Sequence, residues 1–418
     1  MLNYLFVAFL STCLNASENW PDYRGPSADG HSDSKELPVS WSENKNVEWK
    51  TAIHGRGWSS PVVWGKQVWL TTATPDGKEL SVLCVDRDNG KILLDKKLFD
   101  IARPQYKHNT NSYASPSPVI EEGRVYVSFG SPGNACLNTK TLKVIWERSD
   151  LECNHFRGAG SSPVLFGDLL ILTMDGSDHH YLIALDKKTG KTVWRRDRST
   201  EYGDLRDGKP RLDGDLRKCY ATPFFIEVEG KTQMISPGAK AVWAYDPLTG
   251  DEIWQVRYGN HSSASRTLYG HGLLFVNTGY SRAELLAIKP DGTGDVTRTH
   301  VAWKLRKGVS NKPSPVLIGE HLYMITDNGG ILSCVEAKSG KVVWQERIGG
   351  AQSASLIYAE GRIYTFGEDG RTVAIQPGTS FKKIGESKLG GGFMSSPAVA
   401  GSSFFLRTKT HLYRLARE

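Results

Sequence analysis

Ser162-Pro163-Val164-Leu165 opens a phrase that continues through the apolar run Leu169-Leu170-Ile171-Leu172 and then Tyr181-Leu182-Ile183-Ala184-Leu185-Asp186. It turns at Lys188-Thr189-Gly190 and closes on Lys191-Thr192-Val193-Trp194. Four short apolar stretches separated by turn residues, with no helical period among them, spell four strands. The phrase is written eight times. Its anchors are Pro61, Pro118, Pro163, Pro223, Arg266, Pro315, Leu356 and Pro397, spaced by 57, 45, 60, 43, 49, 41 and 41 residues. Repeats of about 40–45 residues with four strands each mark propeller blades. The expected fold is all-β: an eight-bladed β-propeller of four-stranded antiparallel blades.

Within each copy the second strand is almost continuously apolar, as in Val125-Tyr126-Val127 and Leu273-Leu274-Phe275-Val276, which predicts burial on both faces. The third strand ends in an acidic residue at Asp86, Asp186, Asp246 and Glu336, just before a Gly-bearing hairpin. An acid recurring at that place is expected to accept backbone hydrogen bonds in the turn. The fourth strand carries Trp146, Trp194, Trp254, Trp303 and Trp344, rings large enough to fill the wedge between radial sheets. Leu94 and Ile384 stand there in blades one and seven, so those wedges need another filler.

The eighth copy stops at Leu412-Tyr413-Arg414-Leu415 without its Trp strand, and the missing piece is Val47-Glu48-Trp49-Lys50-Thr51 near the other end. That strand is expected to complete the last blade and close the ring, since an open edge invites aggregation. Residues 46–418 then form one propeller, because no blade can bury its faces without neighbours. Residues 18–45, rich in Pro and Gly, are expected to form a surface strap. Residues 1–17, with the apolar run Leu5-Phe6-Val7-Ala8-Phe9-Leu10, fit a signal peptide and imply a periplasmic or secreted protein. Cys13 stands where a lipid anchor could attach, although Thr12 precedes it.

Cys84, Cys136 and Cys334 share one third-strand place and read as small buried hydrophobes. Cys153 and Cys219 lie in blade connections, where an oxidising compartment would allow a disulfide. No zinc-ligand or haem-attachment spacing occurs. The net charge of +7, from 52 basic and 45 acidic residues, is spread along the chain rather than gathered in a stripe. That speaks against nucleic acid and for a solvated surface.

Rigid blades leave function to their loops. The length excess sits in the connections 101–113, 150–160 and 197–219. With shorter ones, they are expected to place His108, Asn111, Tyr113, His155, Arg157, Arg217, His261 and Lys312 around the channel mouth. Arg, His and Asn together suit an anionic or hydroxyl-rich ligand.

The stretch Ala184-Leu185-Asp186-Lys187-Lys188-Thr189-Gly190-Lys191-Thr192-Val193-Trp194 resembles the repeat of pyrroloquinoline quinone (PQQ) propellers, a superfamily holding quinoprotein dehydrogenases and BamB. The segments 108–116 and 152–160 are similar to secreted PQQ-like repeat proteins of planctomycete-type bacteria. The dehydrogenases' adjacent cysteine pair and calcium set have no match here. Two readings follow. One is a non-catalytic binding or scaffold module for an envelope protein or polysaccharide, as a monomer or part of a larger assembly, needing no cofactor. The other is a quinoprotein-like oxidoreductase holding PQQ with calcium in the central channel. Fold alone does not choose between them.

Overall fold

The structure, a computed structural model, describes residues 18–280 and 282–417; the signal-peptide and Cys13 expectations lie outside that range. Eight sheets of four antiparallel strands follow one another along the chain, and in seven of them the innermost of the four is a three-residue strand. Blade three shows the plan: Val164–Phe166, Leu169–Asp175, His180–Asp186 and Thr192–Asp197, in that spatial order. Its second strand is buried throughout. The eighth blade consists of Ala398–Ala400, Ser403–Arg407, His411–Ala416 and, from the other end of the chain, Val47–Ala52. Lys50 pairs with Tyr413 and Thr51 with Leu412 in that closing ladder.

The tryptophans do more than fill space. Trp146 donates its indole N–H to the Lys187 carbonyl at 3.1 Å, Trp303 to Ala337 at 3.1 Å, and Trp49 to Arg87 at 2.9 Å. Each acceptor lies in the hairpin region of the next blade, and the ring covers that hairpin's glycine: Trp146 over Gly190, Trp303 over Gly340, Trp49 over Gly90. Three of the four hairpin acids, Asp86, Asp186 and Asp246, accept backbone N–H groups as expected, whereas the Glu336 carboxylate takes the Ser339 hydroxyl instead. The Asp186 carboxylate accepts the backbone N–H of Thr189 at 2.8 Å and of Lys188 at 3.1 Å.

Blade seven corrects the sequence reading. Opposite Ala374, where other blades set the Trp, stands Gly385 rather than Ile384. The strap fills that wedge: Val39 lies against Gly385, and Trp41 packs between Tyr364 and Phe404. Earlier in the strap, Trp20 pairs with Val63, and His31–Ser32 adds a parallel strand to Ile357–Ala359. The strap thus crosses the face opposite the long connections.

The disulfide that the sequence would allow between Cys153 and Cys219 is not formed; both are buried free thiols. They point into different seams. Cys153 Sγ lies 3.8 Å from His155 Nδ1, whereas Cys219 Sγ faces the carbonyls of Ser263 at 3.3 Å and Pro237 at 3.4 Å. Cys84, Cys136 and Cys334 are fully buried.

Candidate functional site

A chain of hydrogen bonds runs around the channel through the residue before each anchor. The exception is blade five, where Arg266 itself takes that place and donates its N–H to Ser314 Oγ at 2.9 Å, so the anchor there is Thr267 and not Arg266. The Ser60 N–H donates to Ser117 Oγ (2.8 Å), Ser117 to Ser162 (2.9 Å), and Ser162 to Thr222 Oγ1 (3.0 Å). On the other side Ser314 donates to Ser355 (2.9 Å), Ser355 to Ser396 (2.9 Å), and Ser396 back to Ser60 (3.0 Å). Between blades four and five the Arg266 guanidinium spans the seam, donating to the Pro223 carbonyl at 3.0 Å. Arg266 also pairs with Asp22 of the strap at 2.5 Å. The next strap residue, Tyr23, sets its hydroxyl 2.9 Å from Ser355 Oγ, at the strap end of the channel. What remains is a cup of about 470 Å³, entered from the loop face.

One wall is built by the two long connections 150–160 and 197–219. Arg157 grips Asp215 through Nε (2.7 Å) and Nη2 (2.8 Å). The buried Lys218 ammonium pairs with the same carboxylate and donates to the Tyr220 hydroxyl at 3.1 Å. Burial alone would raise the Asp215 carboxyl, but the bonds from Arg157 and Lys218 hold it below the ordinary carboxylate range. Burial pushes Lys218 down to about 8 despite Asp215. His261, against Tyr280, is pushed to about 4 by burial and then by the charge of Lys240, so it is a neutral imidazole at pH 7. His108 is also lowered by burial, and its Nδ1 meets Thr110 Oγ1 at 2.8 Å.

Opposite lies a second carboxylate. Asp327 accepts the N–H groups of Asn311 (2.5 Å) and Lys312 (2.8 Å), while burial raises its carboxyl. Lys312 Nζ turns to Ser353 Oγ at 2.8 Å and Glu368 at 3.3 Å. Trp58 and the exposed Tyr280 ring add aromatic surface.

Of the eight residues expected at the mouth, His108, Asn111, Arg157, His261 and Lys312 line the cup. The other three lie outside its lining. Tyr113 donates its hydroxyl to the Gln105 carbonyl at 2.9 Å and packs on Gly77. His155 is buried between loops, where its Nε2 accepts the Ser131 N–H at 3.0 Å. Arg217 folds back onto Asp204 at 2.7 Å within its own loop. Asp215 was missed although it sits in a connection already singled out, and Tyr220 follows that connection directly. Asp327 lies in the short turn between His321–Ile325 and Ile331–Glu336 of blade six rather than in a long loop. Tyr23 comes from the strap, and no signal within the repeats points to it.

A family model described as outer membrane protein assembly factor BamB matches residues 79–346 and 228–418. A search of curated protein sequences returns no match. Among solved structures, a europium-containing methanol dehydrogenase superposes with a TM-score of 0.66 at 13% identity, covering 95% of this chain and 90% of that one. BamB from Moraxella catarrhalis gives 0.60 at 11% identity, covering 88% and 99%. Quinohemoprotein alcohol dehydrogenase from Comamonas testosteroni gives 0.63 at 13%, covering 96% and 81%. At such identities the likeness is one of fold.

Proposed function

The chain belongs to the PQQ-like repeat propellers of the family described as outer membrane protein assembly factor BamB, and on that premise we propose that it is a periplasmic or secreted, non-catalytic binding module whose cup takes an envelope glycan. The observation that carries this reading is the cup itself. It is entered from one face, and it sets Trp58 and Tyr280 beside Arg157, Asn111, Lys312 and Asn311. Aromatic faces suit the C–H surface of a sugar ring, and paired donors and acceptors suit its hydroxyls. The wall is held by the Arg157–Asp215 pair, so a ligand meets a preformed surface.

The alternative, PQQ with calcium, does not fit these residues. Both cup carboxylates are already engaged, Asp215 by two cations and Asp327 by two backbone N–H groups. Among the described residues no three His, Cys, Asp or Glu side chains converge as metal ligands. The sequence has no adjacent cysteine pair. A cofactor enzyme must show the groups that hold its cofactor.

An array of peptidoglycan and outer-membrane polysaccharide fragments tests the reading. The wild-type chain is expected to retain at least one glycan class, and Trp58→Ala with Arg157→Gln to lose it. No retained glycan, or retention unchanged in that variant, rejects the cup as a glycan site. Adding PQQ with calcium is expected to give no bound-quinone absorbance.

A further inference from the structure

We propose that the cup floor is a subsite for a carboxylate, which makes the glycan of the preceding section one that carries a uronate or a comparable acid. This rests on that glycan reading only for the identity of the molecule bearing the acid. Five hydroxyls form the floor: Ser396, Ser60, Ser117, Ser162 and Thr222, all lining the cup. None is more than 5% exposed. Each oxygen already accepts a backbone N–H, from Ser355, Ser396, Ser60, Ser117 and Ser162 in turn. Among the described residues none of the five has an acceptor for its own hydroxyl hydrogen.

The rest of the ring shows what satisfies such a hydroxyl. Ser355 and Ser314 meet the Tyr23 hydroxyl at 2.9 and 3.4 Å, so the strap caps that arc and leaves the other open. An open arc of nearly buried O–H donors, fixed by backbone bonds, calls for a group that only accepts. A carboxylate is such a group, and its two oxygens can each take more than one donor.

The charge on the other side of the ring favours the same ligand. Arg24 is fully buried and donates only to main-chain carbonyls, of Leu356 (2.5 Å), Asp29 (2.8 Å) and Pro315 (2.9 Å). Arg266 has Asp22 as its partner. Arg266 thus holds the ring place of blade five, next to Thr222 at the end of the open arc, and Arg24 lies under Ser314 and Ser355, with one carboxylate ion-paired to the two. Both guanidiniums add attraction for an anion in a poorly hydrated site.

Calorimetric titration of the full chain with glucuronate and with its methyl ester separates charge from shape. Glucuronate is expected to bind about tenfold tighter or more, since a charge-assisted bond is about twice as strong as a neutral one. Ser117→Ala with Ser162→Ala should erase that preference. Ser117→Thr with Ser162→Thr should keep it, because Thr222 shows that threonine fits the ring. Equal affinity for acid and ester, no detectable glucuronate binding, or a preference surviving the alanine pair would each overturn the proposal. If glucuronate discrimination holds while the glycan array stays blank, the glycan reading falls and the carboxylate floor stands. An array that retains glycans beside equal acid and ester affinities has the opposite meaning.

Discussion

A methyl group added at Gly190 would lie 2.7 Å from Cδ2 of Trp146, on a backbone with φ of +73°. Two costs combine there: the left-handed conformation, about 1–2 kcal/mol for an L-residue, and overpacking against a ring pinned by its own hydrogen bond, about 1–3 kcal/mol. Gly190→Ala is therefore expected to lose about 2–5 kcal/mol in urea unfolding. Gly65→Ala, at φ +55° with nothing within 4 Å, should lose only the backbone part. Equal losses would show that the Trp–Gly contact carries no weight. His155 supplies the second residue-scale test. Burial, foremost, lowers its pKa from 6.5 to about 4, with Nε2 committed to accepting the Ser131 N–H. The unfolded chain takes up this proton below pH 6.5 while the native one does not. The contribution is thus complete above 6.5 and lost as pH falls toward 4, amounting to roughly 3 kcal/mol. Melting temperature against pH should decline more shallowly in His155→Gln, whose side-chain carbonyl can still accept; an identical slope would refute the assignment. The sequence placed His155 at the mouth because its loop is long, but whether such a loop's side chain turns outward or serves as internal cement depends on neighbours such as Ser131 and Gln105. Spacing does not encode that.

At the level of elements, the repeat was legible because each strand carries its own pattern and every blade restates it. The closing strand was legible for the same reason: Val47–Ala52 supplies the Trp strand that the eighth copy lacks, and Trp49 docks on Gly90 as Trp146 does on Gly190. What was hidden is register. Each fourth strand carries a bulge just before its wedge residue; in blade three the ladder shifts between Ala184 and Leu185, which leaves Val193 as the extra residue, 53% exposed. Ile384 is the same extra residue in blade seven, which is why the wedge there belongs to Gly385 and is filled from the strap. The bulge also accounts for exposed Leu93 and Ile145, apolar residues that need no partner to explain them. The closure gives the element-scale prediction. Deleting residues 45–53 leaves His411–Ala416 as a bare edge and uncovers Trp41, Phe404 and Phe405, so the cooperative melting transition should be lost. An unchanged transition would show that the ring closes without this strand.

For the whole molecule, the strap decides what the propeller can be, since it turns a through-channel into a cup and supplies the floor's Tyr23. None of this was written in the repeats, because the strap lies outside them and its contacts join residues more than 200 positions apart, such as Asp22 and Arg266. The ring position of blade five is the key to that junction. The register of Leu268 with Phe275 puts Thr267, not Arg266, at the anchor place. Arg266 stands where the seven other copies hold Ser or Thr, and its guanidinium reaches the Pro223 carbonyl across the seam and Asp22 of the strap. With Arg266 2% exposed, removing its carboxylate leaves a buried charge without its partner, a loss of about 2–4 kcal/mol after allowing for the partly exposed Asp22. Asp22→Asn should show that loss in urea unfolding. Arg266→Ser restores at the ring the hydroxyl residue that Ser355 supplies in blade seven, so Asp22→Asn combined with Arg266→Ser should regain more than half of it. Additive losses in the double variant would mean that the strap is held by its apolar contacts at Trp20, Val39 and Trp41, with the ion pair an onlooker. Recovery would mean that the single odd ring residue in eight copies exists to lock the floor of the cup in place.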